Sequence, residues 1–270
     1  MVRALHDAMW RQDGVLAPGM SRIQHWLADL PRYVKITVGE RTLLVVHGDT
    51  QDLSGWRFAV EAMLPVDERL PWSAGGGGGG KGGIGDGGCG AAHLGIAPVA
   101  TPFGELRDAF VGTGADVIAS THTCLPFAQT FHFGDSSEPL AASVLINNGS
   151  AGMPNFQGQR HGVVTRIAVR SCDEVFGRGR GASAGGAQSL LYAAVAGEEG
   201  GAAGAGASVH VEAHKVMYDD AAWQRYFRLW QPEGGAGHTS YFNRMCHGPA
   251  FHVAQADRTD LRHPASCDYE

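Results

Sequence analysis

Three apolar segments of the sequence each run into residues that can bind a metal ion or a polar ligand. The three junctions are 43–46 before His47, Gly48 and Asp49; 116–119 before Thr121, His122, Thr123 and Cys124; and 144–146 before Asn147, Asn148, Gly149 and Ser150. Short apolar runs of this kind predict β-strands. Because the carboxyl ends of strands line the ligand crevice of α/β sheets, we expect the three junctions to line one site.

Three of these residues have the chemistry of metal ligands. Histidine and cysteine bind Zn-, Fe- or Mn-type divalent ions. His122 and Cys124 are two positions apart on an extended segment, so both can face the same ion, and His47 ends another strand. The sequence therefore predicts His47, His122 and Cys124 as metal ligands. The residues predicted to line the site beside them are Gly48, Asp49, Thr121, Thr123, Asn147, Asn148, Gly149 and Ser150.

The ordered segments resemble the last three motifs of the calcineurin-like metallophosphoesterases. In that family the strands end in HGD, GHTHxPF and NPGS, and this sequence has HGD at 47–49, THTCLPF at 121–127 and NNGS at 147–150. The resemblance extends over roughly residues 20–252, apart from glycine-rich insertions, and includes the segments 162–168, 218–223 and 240–249. It implies a four-layer αββα sandwich with two divalent metal ions at the strand ends and a phosphoester substrate.

The resemblance also implies individual roles. His47 and His122 match ligands of the second metal, whereas Cys124 stands where a histidine of the family binds the first. Thr121 and Asn148 replace the glycine and the proline of the motifs. The DxH and GNH motifs of the family are absent, and the GDxxD match at 48–52 belongs with the HGD segment. No bridging aspartate or general-acid histidine is therefore identified.

Two functions follow from this pattern. The first is a metal-dependent phosphoester hydrolase of this family, truncated in this chain, whose activity in this form the sequence leaves open. The second is a non-catalytic fragment that acts, if at all, as an interaction module. Half of a sandwich leaves a sheet face or edge uncovered, so association through that face or edge is expected.

Periodicity and turn residues predict the elements that position these residues. The predicted strands are 33–38, 42–46, 116–119, 129–133, 143–146, 163–169, 190–195 and 209–217. Two hairpins are predicted among them, one joining 33–38 to 42–46 through Gly39 and Glu40 and one joining 190–195 to 209–217. The predicted helices are 21–30, 54–63, a segment starting at 101–102, and 219–230. Trp223, Tyr226, Phe227 and Trp230 recur at helical spacing, which predicts an aromatic face docked on a sheet. Together these elements predict a layered α/β protein.

The uneven distribution of glycine along the sequence is the basis of the domain organisation that we predict. The chain has 40 glycines among 270 residues, and they concentrate in two regions of low complexity. We therefore expect a single domain over 21–252, preceded by the segment 1–20 and followed by a tail at 253–270. Disordered, glycine-rich insertions are predicted at 73–92, 177–187 and 196–207.

Charge and composition exclude other classes of protein. The net charge of −6 argues against a nucleic-acid binder. No apolar run approaches the ~18–20 residues that span a bilayer, so no membrane partner is expected. Five cysteines without CxxC spacing, together with an N-terminus that lacks an apolar signal, predict an intracellular protein of a reducing compartment, the cytoplasm or an organelle.

Overall fold

The described part of the chain is a mixed α/β structure. The computed structural model describes residues 22, 25–26, 29–63, 99–133, 142–176, 189–195 and 208–259. The segments predicted as glycine-rich insertions, 73–92, 177–187 and 196–207, lie outside the described residues, as does the segment 1–20. No helix in the described part is long and apolar enough to cross a bilayer.

Nine strands and five α-helices have defined bounds among the described residues. The strands are β1 (Tyr33–Val38), β2 (Arg41–Val46), β3 (Val117–Ser120), β4 (Phe127–Phe131), β5 (Ser143–Asn147), β6 (Gly162–Ala168), β7 (Leu191–Val195), β8 (Val209–Val216) and β9 (Asp257–Arg258). The helices are α1 (Phe103–Thr113), α2 (Cys172–Phe176), α3 (Asp220–Trp230), α4 (Ala236–His247) and α5 (Val253–Ala256). A short 3-10 helix covers Val60–Ala62.

Six strands form the larger sheet in the order β1-β2-β3-β5-β4-β9. Strands β2, β3 and β5 are parallel, and the register aligns Leu43 with Val117 and Val117 with Val144. Side chains of these strands are buried on both faces, which explains their nearly continuous apolar sequence. Because the three strands are parallel, their carboxyl ends meet at one edge of the sheet, where the predicted site residues follow.

The first two strands form a hairpin that leaves β1 at the edge of this sheet. Gly39 takes a φ of +62° in the turn, a conformation that favours glycine, and the predicted hairpin is confirmed. Tyr33, Val34 and Ile36 of β1 are all about half exposed. Among the described residues no strand pairs with the outer side of β1, and association through a sheet face or edge stays a prediction.

Three antiparallel strands form the smaller sheet in the order β6-β8-β7. The predicted hairpin between β7 and β8 is confirmed by their register, which pairs Leu191 with Ala213. One face of β8, carrying Val211 and Ala213, is buried in the common core, and β7 packs against β4 and β5. The opposite face of β8 carries His210, Glu212 and His214, because side chains alternate along a strand.

Helix α1 covers the larger sheet through aromatic contacts. The ring of Phe110 lies 6.0 Å from that of Phe131 and 5.3 Å from that of Phe133. Gly114 ends the helix in the left-handed conformation, at φ +63°. The helix begins just after Pro102, as the sequence predicted.

The aromatic face of α3 does not dock on a sheet, so that prediction is wrong. No residue of α3 is buried, and Trp223, Tyr226 and Trp230 are exposed. Phe227 instead stacks on Phe242 of α4, with ring centroids 6.2 Å apart. Periodicity identified an apolar face but not its neighbour, and the neighbour is another amphipathic helix.

The prediction of a helix over 54–63 is also wrong, because only Val60–Ala62 are helical there and they form a 3-10 helix. The Asp49 carboxylate accepts hydrogen bonds from the backbone N–H groups of Gln51 and Asp52, both at 2.8 Å. The Asp52 carboxylate does the same for Ser54, also at 2.8 Å. These side-chain acceptors stabilise turns over residues 49–54, just before the 3-10 helix.

The first residues of the predicted C-terminal tail belong to the packed structure. Helix α5 is followed by β9, which pairs in parallel with β4. Ala256 and Arg258 are buried, and the Arg258 guanidinium donates to Gln129 Oε1 of β4 at 2.9 Å. Helix α5 and β9 therefore pack with the larger sheet, and the domain boundaries stay a prediction.

Candidate functional site

His47 and His122 meet where two parallel strands end. His47 follows β2 and His122 lies just beyond β3, and the backbone N–H groups of Thr121 and His122 both donate to the His47 carbonyl, at 3.2 and 2.8 Å. The two imidazoles are consequently adjacent, with His122 Nδ1 3.1 Å from His47 Nε2. Two of the three predicted metal ligands thus share one small region at the edge of the sheet.

The surroundings of this histidine pair favour a neutral imidazole at His122. Burial and the neighbouring His47 lower the pKa of His122, whereas Asp52 and Asp49 act in the opposite direction. The Trp56 ring packs edge-on against His122, with centroids 5.5 Å apart. His47 is exposed, so the pair has open access from one side. A neutral imidazole is the form that binds metal ions.

Gly48 and Asp49 shape the loop behind the pair. The Asp49 carboxylate is buried and is bonded to backbone N–H groups of its own loop. A Cβ at Gly48 would lie 2.6 Å from the backbone nitrogen of Gly55, and a Cβ at Gly55 would overlap the Asp49 carboxylate. Gly48 and Asp49, which were predicted to line the site, therefore stabilise the conformation of this loop.

Cys124, the third predicted ligand, has an unusual backbone conformation. It is the one described non-glycine residue with a positive φ, +61°, and its thiol donates to the His122 carbonyl at 3.4 Å. Its own carbonyl accepts from Arg244 Nη2 at 2.8 Å. Within the described residues, His47, His122 and Cys124 do not form a set of ligand atoms that all lie within 4.8 Å of one another. The role of Cys124 as a ligand stays a prediction.

The remaining predicted site residues hold neighbouring loops together. Thr121 Oγ1 donates to the Gly149 carbonyl at 3.1 Å, and Asn147 Nδ2 donates to Thr123 Oγ1 at 2.8 Å. The Gly149 N–H donates to Asn147 Oδ1 at 2.9 Å, and Gly149 has a φ of +65°. The other two residues make backbone bonds: Asn148 N donates to the Ser120 carbonyl at 2.8 Å, and Ser150 N donates to Asn155 Oδ1 at 2.7 Å. The junctions after β3 and β5 thus form one hydrogen-bonded rim.

A cleft lies beside this rim but does not include the histidine pair. It has a volume of about 220 Å³ and separates the loop after β2 from α1. Arg57 lines it and bridges two acids, with Nη1 3.8 Å from Asp49 and Nε 2.9 Å from Glu105. The cleft is therefore a neighbour of the site rather than its centre.

A second cluster of ligand-type side chains was missed from the sequence. Cys172, Glu212 and His214 place one ligand atom each within 4.8 Å of the others. The sequence carried part of the signal, since residues 212 and 214 of a strand share a face. Cys172 could not be added, because its place depends on the pairing of β6 with β8.

Comparisons with known proteins leave the family of this chain open. No protein-family model matches it, and no curated protein matches it. A solved structure of a hypothetical protein from Pyrococcus horikoshii OT3 is similar at 13% identity and a TM-score of 0.35, over 85% of this chain. The chain spans 55% of the length of that protein. This likeness is too weak to carry an argument about function.

Proposed function

We propose that the chain is a metal-dependent phosphoester hydrolase domain of the calcineurin-like type, with His47 and His122 as ligands of a divalent cation. The observation that carries this proposal is the 3.1 Å approach of the two imidazole nitrogens after neighbouring parallel strands. The ordered HGD, THTCLPF and NNGS segments supply the resemblance, and they follow β2, β3 and β5. The four-layer sandwich belongs to the same proposal, supported by the packing of β7 against β4 and β5.

The donor atoms of the pair fit a divalent ion. Two nitrogens that bind one ion at ~2.0–2.1 Å lie about 3.0–3.4 Å apart, and the observed separation is 3.1 Å. The lowered pKa of His122 keeps the lone pair available at neutral pH. A bound Mn-, Fe- or Zn-type ion would polarise a phosphoryl oxygen of the substrate. The two histidines hold the ion, and the hydrogen-bonded rim fixes their backbone.

A non-catalytic metal-binding module is the second candidate. It is favoured by the absence of DxH and GNH motifs from the sequence and by the engagement of the Asp49 carboxylate in its own loop. Two histidines alone supply neither a bridging carboxylate nor a proton donor for a leaving group. The two candidates share the metal site and differ in turnover.

The experiment measures metal binding and hydrolysis in the same preparations. Mn²⁺ is titrated calorimetrically into the Cys172→Ser protein, which removes the second cluster, and into the same protein carrying His47→Ala or His122→Ala. We expect binding to weaken by at least ~100-fold in both histidine variants, since even residues that only orient a ligand contribute ~10–100-fold. His132→Ala, an exposed histidine elsewhere, is the control and should bind normally.

Turnover of p-nitrophenyl phosphate and of its bis ester then separates the candidates. Mn²⁺-dependent hydrolysis that disappears with His47→Ala or His122→Ala supports the hydrolase. Binding without hydrolysis supports the non-catalytic module. If the two histidine variants bind Mn²⁺ as well as their parent, both candidates are wrong.

A further inference from the structure

The outer face of the smaller sheet carries a compact group of metal-ligating side chains. Glu212 and His214 project from this face of β8, and Cys172 begins α2 just after β6, which pairs with β8. Cys172 Sγ lies 3.4 Å from His214 Nε2, and the backbone N–H of Cys172 donates to both Glu212 oxygens, at 2.9 and 3.1 Å. We propose that Cys172, Glu212 and His214 form a binding site for a Zn²⁺-type ion.

The spacing of the donor atoms fits such an ion. Zn²⁺ binds sulfur at ~2.3 Å and imidazole nitrogen at ~2.0–2.1 Å, so the two atoms lie about 3.5 Å apart in a tetrahedral site. The observed distance between Sγ and Nε2 is 3.4 Å, and the carboxylate completes a group whose members all lie within 4.8 Å. One ion can therefore contact all three side chains with little rearrangement.

The supporting contacts hold the carboxylate in place. Glu212 is buried, and Arg166 Nη1 donates to Glu212 Oε2 at 2.7 Å while also donating to the Arg170 carbonyl at 2.8 Å. The two oxygens of a carboxylate offer about four lone-pair directions, and the three hydrogen bonds from Cys172 and Arg166 leave one of them, on Oε1, for a cation. Partners that fix a ligand in this way are typical of protein metal sites.

The chemistry of the set selects the type of ion. A thiolate and an imidazole favour Zn²⁺ over the hard cations Mg²⁺ and Ca²⁺, which prefer oxygen. The nearby His210 is occupied otherwise, since its Nδ1 lies 2.8 Å from Tyr192 Oη and its Nε2 lies 3.7 Å from Glu174. Three protein ligands leave one position of a tetrahedral ion open to water or an external ligand.

Cobalt binding tests this site directly, because Co²⁺ replaces Zn²⁺ and absorbs visibly when bound to a thiolate. We expect Co²⁺ to give a thiolate-to-cobalt charge-transfer band in the wild-type chain, and excess Zn²⁺ to remove it. Cys172→Ser should abolish the band, and His214→Ala should weaken Co²⁺ affinity by at least ~100-fold. Cys246→Ser is the matched control, because this thiol lies on α4 beside Gln224, at 3.5 Å, away from the cluster.

Two further variants separate this site from the histidine pair. His47→Ala combined with His122→Ala should leave the band intact, and so should Cys124→Ser. A band that survives Cys172→Ser, or that is lost with Cys124→Ser instead, overturns the proposal. A wild-type chain without any band also overturns it, since the contacts of Glu212 would then be purely structural.

Protection from alkylation provides a second measurement that needs no variant. Native wild-type protein is treated with iodoacetamide with and without Zn²⁺, and the labelled cysteines are identified by peptide mass spectrometry. We expect Zn²⁺ to slow the labelling of Cys172 at least ~10-fold and to leave Cys246 unchanged. Equal labelling of Cys172 in both samples contradicts the proposal even if Cys172→Ser fails to fold.

Discussion

The two ligand clusters differ in how deeply they are built into the structure. The histidine pair sits at the rim of the larger sheet, where His47 is exposed and both rings contact mainly each other and Trp56. The second cluster is centred on Glu212, a buried carboxylate that ties α2 to the smaller sheet. Among the three residues of the second cluster, Glu212 is the buried one, whereas Cys172 and His214 are partly exposed. The two histidines of the first cluster therefore have the chemistry of ligands without supporting the core, whereas Glu212 of the second cluster has both roles.

The largest effect should come from removing Glu212. Glu212→Ala leaves the Cys172 N–H without its acceptors and removes one of the two acceptors of Arg166 Nη1, so we expect the free energy of unfolding to fall by about 3 kcal/mol. Urea denaturation measures this loss. Glu174→Ala is the control, because this carboxylate of α2 is exposed and its removal should cost clearly less stability than that of Glu212. Equal losses of stability in the two variants would show that Glu212 supports the fold no more than an exposed carboxylate does.

A second buried carboxyl, Glu61, destabilises the fold when it is ionised, whereas ionised Glu212 stabilises it. Neither of its oxygens has a hydrogen-bond partner among the described residues, and burial raises its pKa to about 7. Its folded pKa lies above its unfolded value, so its ionisation destabilises the fold progressively from about pH 4.5 to 7 and fully above that. Glu61→Gln should therefore raise the free energy of unfolding at pH 8 by up to about 3 kcal/mol.

The same denaturation series at pH 4 is the internal control for Glu61. The gain from Glu61→Gln should vanish there, because the wild-type carboxyl is protonated in both states. Burial alone would raise the pKa of Glu212, but the Cys172 and Arg166 hydrogen bonds lower it overall. The stabilisation from Glu212 is consequently lost as the pH falls below about 4.5. A gain from Glu61→Gln that is independent of pH would contradict this account.

The loop behind the histidine pair should respond strongly to one added methyl group. Gly55→Ala places a Cβ against the buried Asp49 carboxylate, and we expect a loss of about 1–3 kcal/mol in thermal or urea unfolding. Gly112→Ala is the matched control within α1, where an added Cβ meets nothing, and should stabilise the chain by about 0.5–1 kcal/mol. If Gly55→Ala leaves the free energy of unfolding unchanged, the loop after β2 is less closely packed around Asp49 than the structure shows.

The smallest effect concerns the coupling between the two imidazoles. His47→Ala should raise the pKa of His122, because the charge of His47 is one of the causes that lower it. Asp52→Asn should move the pKa of His122 further down, since Asp52 acts in the opposite direction. NMR titration of the His122 ring protons measures both shifts. Shifts of the same sign would show that the two side chains do not interact as the geometry indicates.

Strand positions and the meeting of the histidines could be predicted because they depend on local pattern and one general rule. Apolar runs located β2, β3 and β5, and the rule that parallel strands end at one edge brought His47 close to His122. The rule says nothing about the direction of a side chain beyond the strand. The positive φ of Cys124 turns its thiol toward a carbonyl, and no spacing in the sequence reveals that conformation.

The second cluster and the surroundings of α3 could not be predicted, because both depend on partners distant in sequence. Cys172 and Glu212 are 40 positions apart, and only the register of β6 against β8 brings them together. The aromatic periodicity of α3 was correct, but the contact made by Phe227 is with α4. The helix predicted at 54–63 is reduced to a 3-10 helix at Val60–Ala62, which follows turns held by Asp49 and Asp52.

The pairing of β2 with β3 has a consequence for the length of the chain between them. His47 and His122 are 75 positions apart, and the glycine-rich segment 73–92 supplies 20 of these positions. Because closure entropy grows only logarithmically with length, lengthening such a connection from about 55 to 75 residues costs only ~0.3 kcal/mol. Insertions and deletions in this tract should therefore change the free energy of unfolding very little, and the two imidazoles can stay adjacent while the length of the tract varies.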